Sequence, residues 1–387
     1  MLDDDQKASE VFFAISGNYA KFVPIAALSI IENTKSDIHF HVIHVGLDPV
    51  DEMKITDFIH QFGHASVEFL DATCEMARFD GLNLGWFRTS IAFSRFLIPQ
   101  FSQKSKAIYL DVDLLIRYDL QKLWKLDLGP YAVAAARDIG LPPNHEGFFK
   151  KIETSPDHVY FNNGLLVMDC SKWRQEGITN GIVRIAREKS AEIKCPTQDP
   201  MNLYFEKNYL RLEDSCNISP QALFHEKQFD LKGKGVHYYG IGLNKPWYDS
   251  TVFGAEVFWE LARRTPYYEV FLQEMMQRAA GSARSQMNDL ANLDLKLQRD
   301  MAELQQLVSK VDRCGLSWRC RRLTEALFYE KQIDEQGVKR KFKLFGIGVY
   351  SCRKAADRNT VRILGIKIAY QNRPATKALQ IHDKKTE

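Results

Sequence analysis

The first seventy residues alternate between two apolar periods, and that alternation limits the architectures open to the chain. Val11–Ile15 is a short apolar run ending in Ser-Gly-Asn, which reads as a strand and its turn. Phe22–Ile31 has helical spacing, His39–Val45 is a β-branched strand closed by Gly46, Asp48–Phe62 reads as a helix, and Ala65–Leu70 as a third strand. Strand and helix in turn at this spacing predict an α/β domain with a mostly parallel sheet. Further strands are expected within Ser105–Ile116 and at Tyr131–Ala136, and a helix over Lys172–Lys189. Val159–Met168 is apolar but broken by Asn162, Asn163 and Gly164, so two strand halves meeting at a turn or bulge are expected.

Within the α/β portion, Ala107-Ile-Tyr-Leu-Asp-Val-Asp-Leu-Leu-Ile116 carries two carboxylates inside a run that otherwise reads as buried strand. A lone buried charge costs several kcal/mol unless it is paired or bound to a cation. Asp111 and Asp113 are two apart and face the same way on an extended chain. Hard oxygen ligands at the carboxyl end of such a strand suit Mg²⁺ or Mn²⁺ holding a diphosphate, and ligands of open α/β sheets bind at that end. The competing reading is a pair of turn or capping carboxylates. Far downstream, Val236-His237-Tyr-Tyr-Gly240 leads to Lys245-Pro-Trp247. His237 is either a satisfied core residue or, beside the carboxylates, a third metal ligand through neutral imidazole. Gly240 would let a backbone amide approach a phosphate, and Lys245 would bring it a point charge.

Charge is distributed unevenly. From Lys310 onward, 19 Lys and Arg face 8 Asp and Glu, a net of +11, while the preceding residues carry a net of −8. An acidic body with a basic tail points to an anionic partner for the tail, or else to a solvated tail with none. Between them, Leu290, Leu297, Leu304 and Val311 recur every seven residues, with Leu293 and Leu307 at the accompanying positions and Asp300 interrupting. This pattern fits either a short coiled coil that could join two copies or an amphipathic helix packed on its own domain. Lys343–Tyr350 and Arg362–Tyr370 resemble one another, each reading as a short strand with a central glycine. The expected organisation is a catalytic domain over 1–262, a helical segment over 263–312 and a basic tail region over 313–387. The seven cysteines are scattered without a CxxC pair, which argues against a zinc site or a disulfide framework built on them. The acidic N-terminus is unlike a secretory signal, and no stretch reaches the roughly 18 apolar residues of a membrane span.

Several ordered motifs over residues 11–262 resemble glycosyltransferase family 8, whose members are retaining enzymes of the GT-A fold, among them bacterial lipopolysaccharide galactosyl- and glucosyltransferases. They are Asn18-Tyr19 before an apolar helix, Ser94-Arg95-Phe96, and Tyr109-Leu-Asp-Val-Asp113 with Leu123-Trp124 and Asp127-Leu128. Tyr160-Phe-Asn-Asn-Gly-Leu-Leu-Val-Met168 with Trp173, Thr197-Gln198-Asp199 with Asn202, and His237 to Trp247 complete the set. The resemblance implies a GT-A (Rossmann-like) nucleotide-sugar domain followed by a helical segment and the basic tail. It implies that Asp111, Asp113 and His237 hold Mn²⁺ (or Mg²⁺), and that Lys245 and the Gly240 amide bind the diphosphate of a UDP-sugar. Ala14 and Asn18 would contact the nucleoside. Arg95, Asn162 and Gln198 would surround the donor sugar, with Asp138 on the acceptor side.

The implied reaction moves galactose or glucose from a UDP-hexose to a glycan, such as a lipopolysaccharide core or another lipid-linked saccharide. The metal-bridged diphosphate leaves, and attack comes from the same face, because the amide of Gln198 is a poor nucleophile for a double displacement. Two positions depart from the family pattern. Ser16-Gly17 stand where acidic residues precede Asn-Tyr, and Thr197 replaces the first carboxylate of Asp-Gln-Asp. These departures favour the alternative of a degenerate GT-A scaffold that only binds; the intact Asp111, Asp113, His237 and Lys245 favour the enzyme. The tail has charge for nucleic acid but no recognisable module, so the expected partner is an anionic membrane surface. The expected location is the cytoplasm, peripheral on the inner face of the cytoplasmic membrane.

Overall fold

A computed structural model of the chain describes residues 8–85, 90–140, 154–155, 157–225, 230–239, 245–313, 327–334, 337–344, 347–354, 358–363 and 366–371. Two compact units are formed, Met1–Ala280 and Gly281–Glu387.

The first unit is built on a seven-stranded sheet. Its strands are β1 (Ala8–Ser16), β2 (Asp37–Val45), β3 (Ala65–Asp71), β4 (Lys106–Leu110), β6 (Val133–Ala135), β7 (Leu165–Asp169) and β8 (Leu210–Arg211), while β5 (Leu114–Ile116) and β9 (Gly235–His237) form a separate two-stranded ladder. The sheet order is β3-β2-β1-β4-β7-β6-β8. The first four strands are parallel, β7 runs against both its neighbours, and β8 is parallel to β6. The predicted mixed, mainly parallel α/β fold is therefore observed.

β1 reads as an uninterrupted apolar run because both of its faces are covered. Val11, Phe13 and Ile15 enter one core with the helices Val23–Ile31 and Pro49–Ile59. Phe12 enters the other, with Phe93, Phe96, Trp173 and the helix Ile178–Glu188. Pro24, where no amide partner is needed, opens the first helix, and the Asp48 carboxylate accepts from the Val50 amide at 2.8 Å to cap the second. The single helix expected over Lys172–Lys189 is two, Cys170–Gln175 and Ile178–Glu188, parted at Gly177, whose φ of 62° is a left-handed conformation that glycine adopts without penalty. In 159–168 only Leu165–Asp169 is strand; Phe161 makes an isolated bridge to Arg137, and the turn between them carries site residues. The helix Ala255–Ala262 is separated from a second, Tyr268–Arg313, across Thr265-Pro266.

In the second unit, β10 (Leu327–Asp334), β11 (Gly337–Leu344), β12 (Ile347–Lys354), β13 (Arg358–Ile363) and β14 (Ile366–Gln371) form an antiparallel meander. The two similar sequence stretches were each expected to be one strand with a central glycine. Each instead spans the end of one strand and the start of the next, β11 to β12 and β13 to β14, with the two residues between the strands outside the described residues. Register aligns Tyr329, Phe342, Tyr350, Ile363 and Ile366 in one cross-strand row. Glu330, Lys341, Ser351, Arg362 and Lys367 align in the adjacent row. The side chains of Leu290, Leu297, Leu304 and Val311 lie outside the described residues. Among the described residues, no helix is long and apolar enough to cross a membrane.

Candidate active site

Asp111 and Asp113 follow β4 directly, at the carboxyl end of the parallel strands. The Asp111 amide donates to the Gly164 carbonyl at 2.8 Å, which ties this turn to the start of β7. β5 then pairs with β9, setting Leu114 opposite His237, and the Tyr238 amide donates to the Asp113 carbonyl at 3.0 Å. That ladder brings together residues 124 apart in sequence: His237 Nε2 lies 3.1 Å from Asp113 Oδ1 and 3.7 Å from Asp111 Oδ2. One ligand atom from each of Asp111, Asp113 and His237 lies within 4.8 Å of the other two. The turn tolerates no side chain at Gly164, where a Cβ would stand 2.2 Å from His237 Cε1 and 2.8 Å from Asp111 Oδ2.

Cationic groups surround the two carboxylates. Lys245 Nζ donates to Asp113 Oδ2 at 2.7 Å. Arg95, on the short helix Ser90–Leu97, is 4% exposed; its Nη2 donates to Asp111 Oδ1 at 3.0 Å and its Nη1 to the Asn163 carbonyl at 2.8 Å. Burial works against ionising Asp113, but the Lys245 ammonium outweighs it and holds the carboxyl well below its usual range. Burial likewise opposes the Lys245 charge, and Asp113 overrides it and raises the ammonium. Burial pushes the Tyr109 hydroxyl far above its ordinary value, so it remains a donor to Asp111.

A second layer orients the first. His237 Nδ1 is 2.9 Å from Asn217 Oδ1, and Asn217 Nδ2 donates to Asn162 Oδ1 at 2.9 Å. The Asn217 amide is thereby fixed with its oxygen toward the imidazole, which puts the proton on Nδ1 and leaves the Nε2 lone pair directed at the carboxylates. Two carboxylate oxygens and an imidazole nitrogen so oriented fit a divalent ion such as Mn²⁺.

The network continues to the other predicted residues. Asp138 Oδ2 accepts from Gln198 Nε2 at 2.8 Å and from Asn162 Nδ2 at 3.3 Å, while Oδ1 accepts from the Tyr239 hydroxyl at 2.9 Å and the Gly140 amide at 3.0 Å. Gln198 Oε1 accepts from the Asn163 amide at 3.2 Å. Arg95, Asn162, Gln198, Asp138, Lys245 and the three candidate ligands thus form one hydrogen-bonded assembly. Ala14 and Asn18 stand at the carboxyl end of β1, beside β4; among the described residues neither joins that assembly by a hydrogen bond. Gly240 lies outside the described residues. Of the two departures, Ser16 donates to Asn18 Oδ1 at 2.7 Å, and Thr197, only 2% exposed, accepts from Asn163 Nδ2 at 3.1 Å. Asp199 is structural: buried, it accepts from the Lys194 and Cys195 amides and the Tyr160 hydroxyl. Asn217 and Tyr239 join the site without a sequence signal, for Asn217 sits in an ordinary polar stretch and Tyr239 in an aromatic pair beside His237.

The model of the family described as "Glycosyl transferase family 8" matches residues 10–251. The chain belongs to glycosyltransferase family 8. It is 27% identical over 253 residues to general stress protein A of Bacillus subtilis (strain 168), covering 60% of this chain and 85% of that protein. A putative glycosyltransferase of Haemophilus influenzae is 28% identical over 212 residues, 54% of this chain and 63% of the relative, so the chain spans under two thirds of that protein. Among solved structures, the galactosyltransferase LgtC in complex with donor and acceptor sugar analogs superposes with a TM-score of 0.58 at 25% identity, over 66% of this chain and 96% of that one. The GT-A assignment and a glycosyl-transferring activity follow from family and fold together.

Proposed function

We propose that the protein is a metal-dependent, retaining hexosyltransferase that moves galactose or glucose from a UDP-sugar to a saccharide acceptor, such as a lipopolysaccharide core or another lipid-linked glycan. The observation that carries this reading is the convergence of Asp111, Asp113 and His237 with the cations Lys245 and Arg95 at the carboxyl end of the sheet. Asp111, Asp113 and His237 would hold Mn²⁺ or Mg²⁺. Bound there, the ion would supply positive charge to the diphosphate leaving group. Lys245 would add a second charge to a phosphate oxygen, in a setting whose partial burial strengthens the attraction. Ala14 and Asn18 would meet the nucleoside, and the Gly240 amide the diphosphate.

Retention requires a nucleophile on the far face of the sugar or attack from the leaving-group face. Asp138 already accepts four hydrogen bonds, which lower its nucleophilicity, and the amide of Gln198 is held at both ends. Same-face attack is therefore favoured, the leaving phosphate taking the acceptor's proton, with Gln198, Asn162 and Arg95 positioning the sugar. The likeness to a galactosyltransferase supports a hexose donor. A panel of UDP-sugars with Mn²⁺ tests the reading by the UDP released; no release with any sugar would leave a scaffold that only binds.

The basic unit is proposed to hold the enzyme at an anionic membrane surface, because the residues from Lys310 onward carry a net charge of +11. Basic residues near such a leaflet contribute about 1 kcal/mol each, so attachment would be peripheral and salt-reversible. A chain ending at Gly315 should keep UDP release and lose sedimentation with anionic vesicles; equal sedimentation of both forms sinks the idea. The rival role, joining two copies through the heptad segment, would appear as a change in hydrodynamic size.

A further inference from the structure

A second group of histidines and carboxylates lies at the opposite end of the same sheet. Glu10 on β1 pairs in register with His39 on β2, and His39 and His41 pair with Ser66 and Glu68 on β3. Alternation along the strands sets these side chains on one face. Glu10 and His41 are each 7% exposed, and the His41 ring is stacked on Phe12 with centroids 4.1 Å apart, which fixes its plane. His41 Nδ1 faces Glu68 Oε1 at 2.5 Å and its Nε2 faces Glu10 Oε2 at 2.5 Å. A neutral imidazole carries one N–H and can satisfy only one of those carboxylates. His39 Nδ1 is 2.6 Å from Ser66 Oγ, and its Nε2 lies 3.8 Å from Glu68 Oε2, beyond hydrogen-bond distance.

We propose that Glu10, His39 and His41 form a second metal site, which takes a divalent transition ion of the zinc type. One ligand atom from each of the three lies within 4.8 Å of the others. Both rings have Nδ1 engaged by an outer oxygen, Ser66 for His39 and Glu68 for His41. That arrangement fixes the tautomer of a metal-bound histidine and directs Nε2 at the ion. With Nδ1–H given to Glu68, the lone pair of His41 Nε2 points straight at a Glu10 carboxylate oxygen, a contact that repels unless a cation lies between. With both imidazoles neutral, Glu10 and Glu68 leave two negative charges, which a divalent ion balances.

The donor set also separates this site from the first. Two imidazoles and one carboxylate suit zinc, whereas two carboxylates and one imidazole are the harder set. Ligands about 2.0–2.1 Å from zinc in a tetrahedron stand roughly 3.3 Å apart, so Glu10 and His41 need to part by less than about 1 Å. Water would complete the coordination, with Glu68, whose side chain is 47% exposed, kept as the outer partner of His41. The site would fasten β1 to β2 directly and reach β3, the edge strand of the sheet, through Ser66 and Glu68.

The test uses the full-length chain carrying Asp113→Asn, stripped with a chelator and titrated with Zn²⁺ against a chromophoric competitor. We expect a tight equivalent that raises the melting temperature. Adding Glu10→Gln, which keeps the volume, or His39→Ala, at a half-exposed position, should weaken Zn²⁺ binding about 100-fold or more and abolish the thermal shift. Circular dichroism checks that each variant is folded, and either variant alone suffices if the other is not. Equal Zn²⁺ affinity with and without these substitutions, or a melting temperature indifferent to Zn²⁺, overturns the proposal and leaves a proton between His41 and its carboxylates instead.

Discussion

The two histidine–carboxylate clusters use nearly the same side chains at opposite ends of one sheet, and their surroundings differ in two respects. At the carboxyl end most of the residues come from connections, with Asp111 and Asp113 beyond the end of β4, Arg95 on a short helix and Lys245 past β9, while His237 closes strand β9. At the amino end Glu10, His39, His41 and Glu68 all lie inside strands. The first cluster has Arg95 and Lys245 in direct contact with its carboxylates, and the second has imidazoles as its contacting bases. Fixed cations, and carboxylates set beyond the end of a strand, suit the anionic donor proposed for this site. Residues locked in register suit an ion that stays. On the two proposals, the same ligand chemistry would acquire different uses through its neighbours and its place on the sheet.

The comparison breaks most severely if Asp113→Asn is harmless. Removing one charged ligand should lower Mn²⁺-dependent transfer by about 10³-fold, equivalent to roughly 4 kcal/mol of leaving-group stabilisation, with the circular dichroism of the fold retained. Near-normal turnover would remove the metal assignment. Next in size, Gly164→Ala forces a methyl against His237, which is 1% exposed and tied to Asn217 through Nδ1 and so cannot swing aside. We expect turnover to fall about 100-fold and stability by about 1–3 kcal/mol in a denaturant titration.

Asn217→Ala takes away the oxygen that orients His237. The Mn²⁺ concentration for half-maximal activity should rise about 10–100-fold while turnover at saturating Mn²⁺ changes less; a fall in saturated turnover alone would point to a role in chemistry instead. Thr197→Val deletes a hydroxyl bonded to Asn163 and should cost about 1 kcal/mol of stability, with a donor KM shifted only a few-fold. A large change in the ranking of donors would mean that the Thr197 hydroxyl reaches the sugar. The smallest effect on turnover belongs to the amino end, where His39→Ala should leave UDP release at saturating Mn²⁺ within about two-fold. A greater loss would show that the two ends are coupled.

The strand–helix alternation of the first seventy residues was readable because β1, β2 and the helices between them are buried enough to print their period in the sequence. The Asp111–Asp113 pair was readable because charge is so rarely embedded in a strand-like run. Asn217 was not, since nothing local distinguishes an asparagine that holds a histidine from one in a solvated loop; only the Ile218–Val236 bridge brings it beside His237. The partners of Arg95 escaped for the same reason, as its guanidinium meets Asp111 and Asn163 through the fold alone. The break at Gly177 and the hairpin links after Leu344 and Ile363 were visible as glycines, but a glycine within an apolar pattern does not say whether the chain bends there or runs on.

The β5–β9 ladder has a consequence for the order in which the protein takes shape during synthesis. The β1–β2–β3 layer is made from the first 71 residues and its contacts are local, so it can collapse early. His237 cannot meet Asp113 until a loop of 124 residues has been closed. At a synthesis rate of about 5–20 residues per second, the nascent chain spends some seconds with its frame built and Asp111 and Asp113 lacking their imidazole and ammonium partners. Catalytic competence would thus arrive as one of the last events of folding, after most of the catalytic unit has emerged, and a chain released before β9 would carry the frame without the enzyme.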